Sequence, residues 1–95
     1  MQILGLMLVQ DFARSHADAR AALHNWAEIV RQARWSVPRD VLGDFPRASL
    51  LPRRRVVFRI RGNNYRLLGA IDFVSQIVVV MRIGTHAEYD HWDLR

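Results

Sequence analysis

The chain contains no cysteine and no lysine. Without cysteine, disulfides, iron-sulfur clusters and thiolate zinc sites are excluded together, and the fold must hold without a covalent staple. That absence fits a reducing compartment, so the expected location is cytoplasmic. Long apolar runs are also missing: the stretch Ile3 to Val9 falls far short of the roughly 20 residues that cross a bilayer, and no membrane association is expected. Nor does it read as a signal peptide, because no basic segment precedes it and Gln10, Asp11 and Arg14 follow at once, so none is expected. It reads as the start of a core strand that turns into a helix. There is no Walker loop, no Gly-x-Gly-x-x-Gly and no Gly-x-Ser-x-Gly elbow. His16, His24, His86 and His91 lack ligand spacing, since 86 and 91 fall on different helical faces and no His-Glu-x-x-His occurs; neither metal nor cofactor is expected.

What is present suits one domain over residues 1–95: 51% apolar residues are enough for a core at this length. The formal charge of +5 points to a polyanionic partner such as nucleic acid, an acidic protein or an anionic surface. All fourteen basic residues are arginine. Arginine offers a flat fork of donors that matches phosphate, but it does not shuttle protons, so proton transfer would fall to His, Asp, Glu or Tyr.

Helical spacing starts near Leu8 and Phe12, and Ser15, three residues before Asp18, has the look of an N-cap. From Ala17 to Arg34 the residues Ala19, Leu23, Trp26, Ile29, Val30 and Ala33 share a face, the surest helix of the chain. All three prolines then fall between Trp35 and Pro52, predicting an irregular connector with at most a helical turn near Asp40 to Asp44. Beyond it the period becomes two. Arg55 to Ile60, Tyr65 to Asp72 and Gln76 to Ile83 are strands, with Gly62-Asn63-Asn64 closing a hairpin through a two-residue turn. The predicted fold is α+β, two N-terminal helices packed on a three- or four-stranded antiparallel sheet.

Alternation puts Val56, Phe58, Ile60, Tyr65, Leu67 and Ile71 on one face. The other carries Arg55, Arg59, Arg61 and Arg66, joined by Arg82 if the third strand is in phase. So many guanidiniums with few acids form a phosphate-binding face; an ordinary solvated face is the plainer alternative. In the tail, Thr85 and Glu88 make a capping box, which gives Glu88 a structural task. A helical turn from His86 brings His86, Tyr89, Asp90 and Asp93 near one face. An imidazole and a phenol beside arginines could supply the base, the acid and the cations for cutting RNA through its own 2′-hydroxyl, although His86 as a turn residue and Tyr89 as core cover would be simpler.

The residues Phe12, His16, Leu23, Trp26, Ala33-Arg34-Trp35, Phe45-Pro46, Arg55-Val56-Val57-Phe58, Gly62-Asn63-Asn64-Tyr65-Arg66-Leu67, Gly84-Thr85-His86 and Glu88-Tyr89-Asp90 stand in an order that resembles the HigB family of toxins, within the RelE-like group of messenger-RNA interferases. The resemblance implies a RelE-like toxin domain from a type II toxin-antitoxin module. It further implies a ribosome-dependent, metal-independent endoribonuclease that cuts messenger RNA and is silenced by a HigA-like helix-turn-helix antitoxin, with operator DNA bound only through the toxin-antitoxin complex. Carried over by position, it implicates Arg61, Asn64 and Arg66 at the hairpin and His86 and Tyr89 in the tail as site residues; the phosphate contacts expected of Arg55, Arg59 and Arg82 come from the strand alternation. Leu6 and Met7 are apolar where relatives often carry basic residues, leaving that helix face free to dock the antitoxin. The rival reading is a non-catalytic module that binds RNA or antitoxin.

Overall fold

The computed structural model describes residues 1–95. Strand β1 (Gln2–Leu4) leads directly into helix α1 (Leu6–Ser15), and a single 3-10 turn (Ala17–Ala19) joins it to α2 (Arg20–Gln32). A second 3-10 turn (Pro38–Asp40) and the short α3 (Val41–Asp44) follow, then β2 (Ser49–Leu51), β3 (Arg55–Ile60), β4 (Tyr65–Asp72), β5 (Ile77–Thr85) and the one-turn helix α4 (His86–Tyr89). The sheet has five strands in the order β1-β5-β4-β3-β2, with β1 parallel to β5 and the other pairs antiparallel.

Two elements correct the three- or four-stranded antiparallel expectation. The short β1 makes the sheet mixed, and β2 lies inside the proline-bounded connector, where Pro46 and Pro52 leave room only for a three-residue edge strand. Ser15 is no N-cap either. It is the last residue of α1, and the following turn starts at His16 without a side-chain cap. α2 ends two residues before Arg34, where Ala33 turns extended.

The tightest point of the N-terminal half is Gly5, at φ 82° between β1 and α1. A Cβ there would meet the Val80 carbonyl oxygen at 2.8 Å. Both the left-handed backbone and the close approach demand glycine. Gly5→Ala is therefore expected to lower stability by roughly 2 kcal/mol or more, read as a fall in the urea midpoint with unchanged slope.

The core lies between one sheet face and the two long helices, and α2 contributes Leu23, Trp26, Ala27 and Val30 to it. Val56, Phe58, Ile60, Tyr65, Leu67 and Ile71 face it from the hairpin, on the side that alternation assigns. The register Ile60↔Tyr65 corresponds to a turn centred on Gly62-Asn63, but the left-handed residues are Arg61 and Gly62. β5 departs from strict alternation. Leu68 pairs with Arg82 and Gly69 with Val80, so Met81 is an extra, exposed residue, a bulge that reverses the phase of the strand. Val78 and Val80 consequently point into the core while Arg82 joins Arg59 and Arg66 on the opposite face.

Candidate nucleic-acid interface

The face away from the helices carries the arginines, and the register fixes their neighbours. Arg59 stands directly across from Arg66, Val57 across from Leu68, and Arg55 across from Ala70. On the other side of β4, Arg66 pairs with Gly84 and Leu68 with Arg82. Like charges directly opposite repel, so the Arg59 and Arg66 pair is retained at a cost that an anion between them would relieve.

Arg66 is the buried cation of the site, with only 4% of its surface exposed. Its Nη1 donates to the carbonyls of Asn63 (3.0 Å) and Tyr65 (3.1 Å), and its Nη2 donates to Asn63 Oδ1 at 2.7 Å. Arg59 reaches the same Asn63 oxygen at 3.3 Å. The Arg66 guanidinium lies 5.4 Å from the centre of the Tyr89 ring, within cation–π range. Burial first, and then the charge of Arg59, pull its pKa below the ordinary arginine value, while Tyr89 and Asp90 oppose the shift. The protonated form is thus held in an environment that favours the arrival of negative charge.

The tail closes over this face. Thr85 caps α4 by accepting from the Glu88 N–H at 3.1 Å, and Glu88 returns the bond to the Thr85 N–H at 3.0 Å, the capping box legible in the sequence. The His86 N–H donates to the Asn64 carbonyl at 2.9 Å, which fastens the start of α4 to the hairpin. His86 Nδ1 stands 3.5 Å from Asp90 Oδ2, and its ring centre 6.5 Å from that of Tyr89. Tyr89 meets Trp92 edge-on at 5.5 Å, and Trp92 in turn faces the Arg82 guanidinium at 5.3 Å. Gly84 permits this closure, since a Cβ there would lie 3.0 Å from the Trp92 ring. The paired rings of Tyr89 and Trp92 are therefore flanked by two cations, Arg66 and Arg82.

Of the residues singled out from the sequence, the structure brings Arg66, Arg59 and Arg82 to this face with Tyr89 against Arg66, and His86 stands next to Tyr89 on α4. Arg61 is drawn away: its guanidinium pairs with Asp18 at 3.2 Å on the helix side. Asp18 also accepts from the Tyr65 hydroxyl at 2.5 Å, a bond that, with burial, raises the Tyr65 pKa. Arg55 donates from Nη2 to the Leu94 carbonyl at 2.6 Å and so ties down the tail. Asn64 contributes its carbonyl to His86, and the adjacent Asn63 supplies the side chain that holds Arg66. Asn63 and Trp92 are the site neighbours that patterning alone did not select, while Asp90 stands beside His86 as helical spacing expects. No three His, Asp or Glu side chains converge to hold a metal ion, and no helix is long and apolar enough to cross a membrane.

Two carboxylates, Glu88 beside the site and Asp72 at the far end of β4, are held below their ordinary pKa. The Thr85 backbone N–H, and then its hydroxyl, lower Glu88; the Ser75 N–H chiefly lowers Asp72 in the β4–β5 turn, where Asp72 Oδ1 also accepts from Val74. A depressed carboxylate contributes stability above its unfolded value, here 4.5 and 3.8, and loses it as pH falls through the lower folded value. Stability should hold from about pH 5 upward on account of these groups and decline on acidification. In thermal melts across that range, Glu88→Gln should flatten part of the acid slope.

The fold and site together define a small α+β protein with a basic sheet face, a buried arginine at its centre and a phenol and an imidazole on the adjoining one-turn helix. The family model described as HigB_toxin, the RelE-like toxic component of a toxin-antitoxin system, matches residues 19–92, and the chain belongs to this family. It is also 29% identical over 92 residues to the mRNA interferase HigB of Escherichia coli O6:H1, an alignment covering 95% of this chain and 89% of that protein. The protein is therefore a toxin of a toxin-antitoxin system, and that class implies an antitoxin partner.

Proposed function

We propose that this toxin is a messenger-RNA endoribonuclease whose chemistry is centred on Arg66, Tyr89 and His86. The observation that carries this reading is the seating of a nearly buried, anion-seeking guanidinium against the Tyr89 ring, on the same one-turn helix as His86. In the reaction the 2′-hydroxyl oxygen of the message attacks the adjacent phosphorus, and its proton passes to His86. The bond from phosphorus to the 5′ oxygen breaks, and that oxygen takes the proton of the Tyr89 hydroxyl. The products are a 2′,3′-cyclic phosphate and a 5′-hydroxyl, and proton exchange with water restores both side chains.

Asp90, 3.5 Å from His86 Nδ1, orients the ring and leaves Nε2 for the substrate. Charge on the pentavalent phosphorus is met by Arg66 and Arg59, with Arg82 holding the chain further along. Arg61 and Arg55 join them only by releasing Asp18 and Leu94. The side chains present supply the acid, the base and the cations, so the reaction as proposed requires no metal. Its setting is the cytoplasm, with message threaded on the ribosome and a HigA-like helix-turn-helix antitoxin as the silencing partner; operator DNA is bound only through their complex.

The test is induced synthesis in a bacterial host. Growth should stop and messages shorten, and co-synthesis of the antitoxin should restore both. Normal growth with intact messages, in cells holding soluble folded protein, would overturn the reading and leave a module that binds without cutting.

A further inference from the structure

Beside the arginine face, at the edge of the sheet, lies a cavity of about 310 Å³ bounded by α2, the segment after α3 and the end of β3. It exists because β2 pairs only with Arg55 to Val57, which leaves the outer edge of β3 from Phe58 to Ile60 without a strand. Arg47, Arg59 and Arg61 line it, together with Asn25, Asp44 and Trp26. Arg61 is matched by Asp18, and Asp44 accepts from the Trp35 indole N–H at 2.9 Å. Arg47 and Arg59 make no ion pair. The Trp26 Nε1–H, buried among the lining residues, has no acceptor in the protein. That nitrogen is sealed from the surface, so Trp26 is a wall of the cavity and a reporter of its filling, not a contact for its occupant.

We propose that this cavity is a second phosphate seat for the RNA substrate, one that takes a backbone phosphate flanking the scissile one, with Arg47 and Arg59 as its cations. The inference rests on the nuclease reading and extends it from a single cut bond to a track. Continuity supports RNA as the occupant. Arg59 lines the cavity and also stands across from Arg66, and both arginines share the Asn63 oxygen, so one side chain borders both seats. Arg47 is close enough to Arg66 to disfavour its charge, which places the cavity's other cation within electrostatic reach of the first seat. The donors present, two guanidiniums without a carboxylate partner, suit a multiply accepting anion.

The test compares two uncleavable 2′-O-methyl probes, a dinucleotide with one internal phosphate and a hexanucleotide with five, on the wild-type protein and on Arg47→Gln and Arg66→Gln. Arg47→Gln should bind the dinucleotide as the wild type does and the hexanucleotide about tenfold more weakly. The salt dependence of hexanucleotide binding should fall by about 0.7 in log–log slope, the signature of one lost single-strand phosphate contact. In the NMR spectrum the Trp26 indole N–H, assigned with Trp26→Phe, should shift with the hexanucleotide and stay in place with the dinucleotide. If Arg47→Gln binds the hexanucleotide with unchanged affinity and slope while Arg66→Gln weakens both probes, the second seat is refuted and the nuclease face stands. Should neither variant weaken either probe, both readings fall. Weakened antitoxin binding by Arg47→Gln with RNA binding untouched would give the cavity to an acidic segment of the antitoxin and refute the proposal.

Discussion

On the proposed reaction, His86→Ala and Tyr89→Phe are each expected to lower the rate of message cleavage by roughly 10²- to 10⁴-fold, the loss when one acid–base group is removed from a site whose cations remain. In cells this appears as survival under induction that arrests the wild type. Tyr89→Phe is the more informative variant, because the ring keeps its place over Arg66 and between His86 and Trp92, and only the hydroxyl is lost. His86→Ala also leaves the backbone bond to Asn64 intact, so α4 stays fastened to the hairpin. The two variants should melt within a few degrees of the wild type, which separates lost chemistry from lost folding. If both keep full toxicity, the roles assigned to the imidazole and the phenol are wrong.

Phe58→Ala is expected to have the opposite profile, with a large loss of stability and no direct effect on the site. Phe58 is completely buried, and its ring centre lies 4.9 Å from Phe45, 5.5 Å from Trp26 and 6.4 Å from Trp35. Removing the ring leaves a cavity that three bulky neighbours on different elements cannot fill, at a cost of about 3–5 kcal/mol. In a chain of this length each kcal/mol lowers the melting temperature by roughly 4–8 °C. Since small domains hold only about 5–15 kcal/mol, the variant loses toxicity because little folded protein remains. Differential scanning calorimetry checks this directly, and a melting point within a few degrees of the wild type would contradict the packing described.

Much of the architecture could be read from the residues because the strong signals are local. The period-two pattern around Gly62-Asn63 assigned both faces of the hairpin, and one face became core with Val56, Phe58 and Leu67 fully buried. The capping box of Thr85 and Glu88 is likewise a three-residue signature, and it forms. What escaped was settled by distant partners. β2 is three residues long, too short to show a period, and is a strand only because β3 lies beside it; the strand expected at the head of the chain forms as β1, but its parallel pairing with β5 has no local mark. The bulge at Met81 carries no sequence mark; it follows from fitting β5 against β4 and decides that Arg82 shares a face with Arg66.

The site divides in the same way. Arginines on alternate positions and the spacing of His86, Tyr89 and Asp90 are visible in one dimension. Which arginines stay available is a tertiary matter: Asp18, more than forty residues upstream, takes Arg61, and the Leu94 carbonyl takes Arg55. Asn63 was hidden because its oxygen matters only once the hairpin folds Arg59 and Arg66 onto it.

The chemistry of the cut ends tests the central claim most directly. Messages cleaved by the purified toxin on programmed ribosomes should carry a 2′,3′-cyclic phosphate and a 5′-hydroxyl, and a single 2′-deoxy substitution on the 5′ side of the cut should abolish cleavage there. Ends bearing a 3′-hydroxyl and a 5′-phosphate, or cutting that survives the deoxy substitution, would show that the 2′-oxygen is not the nucleophile and that His86, Tyr89 and Arg66 do not perform the reaction assigned to them.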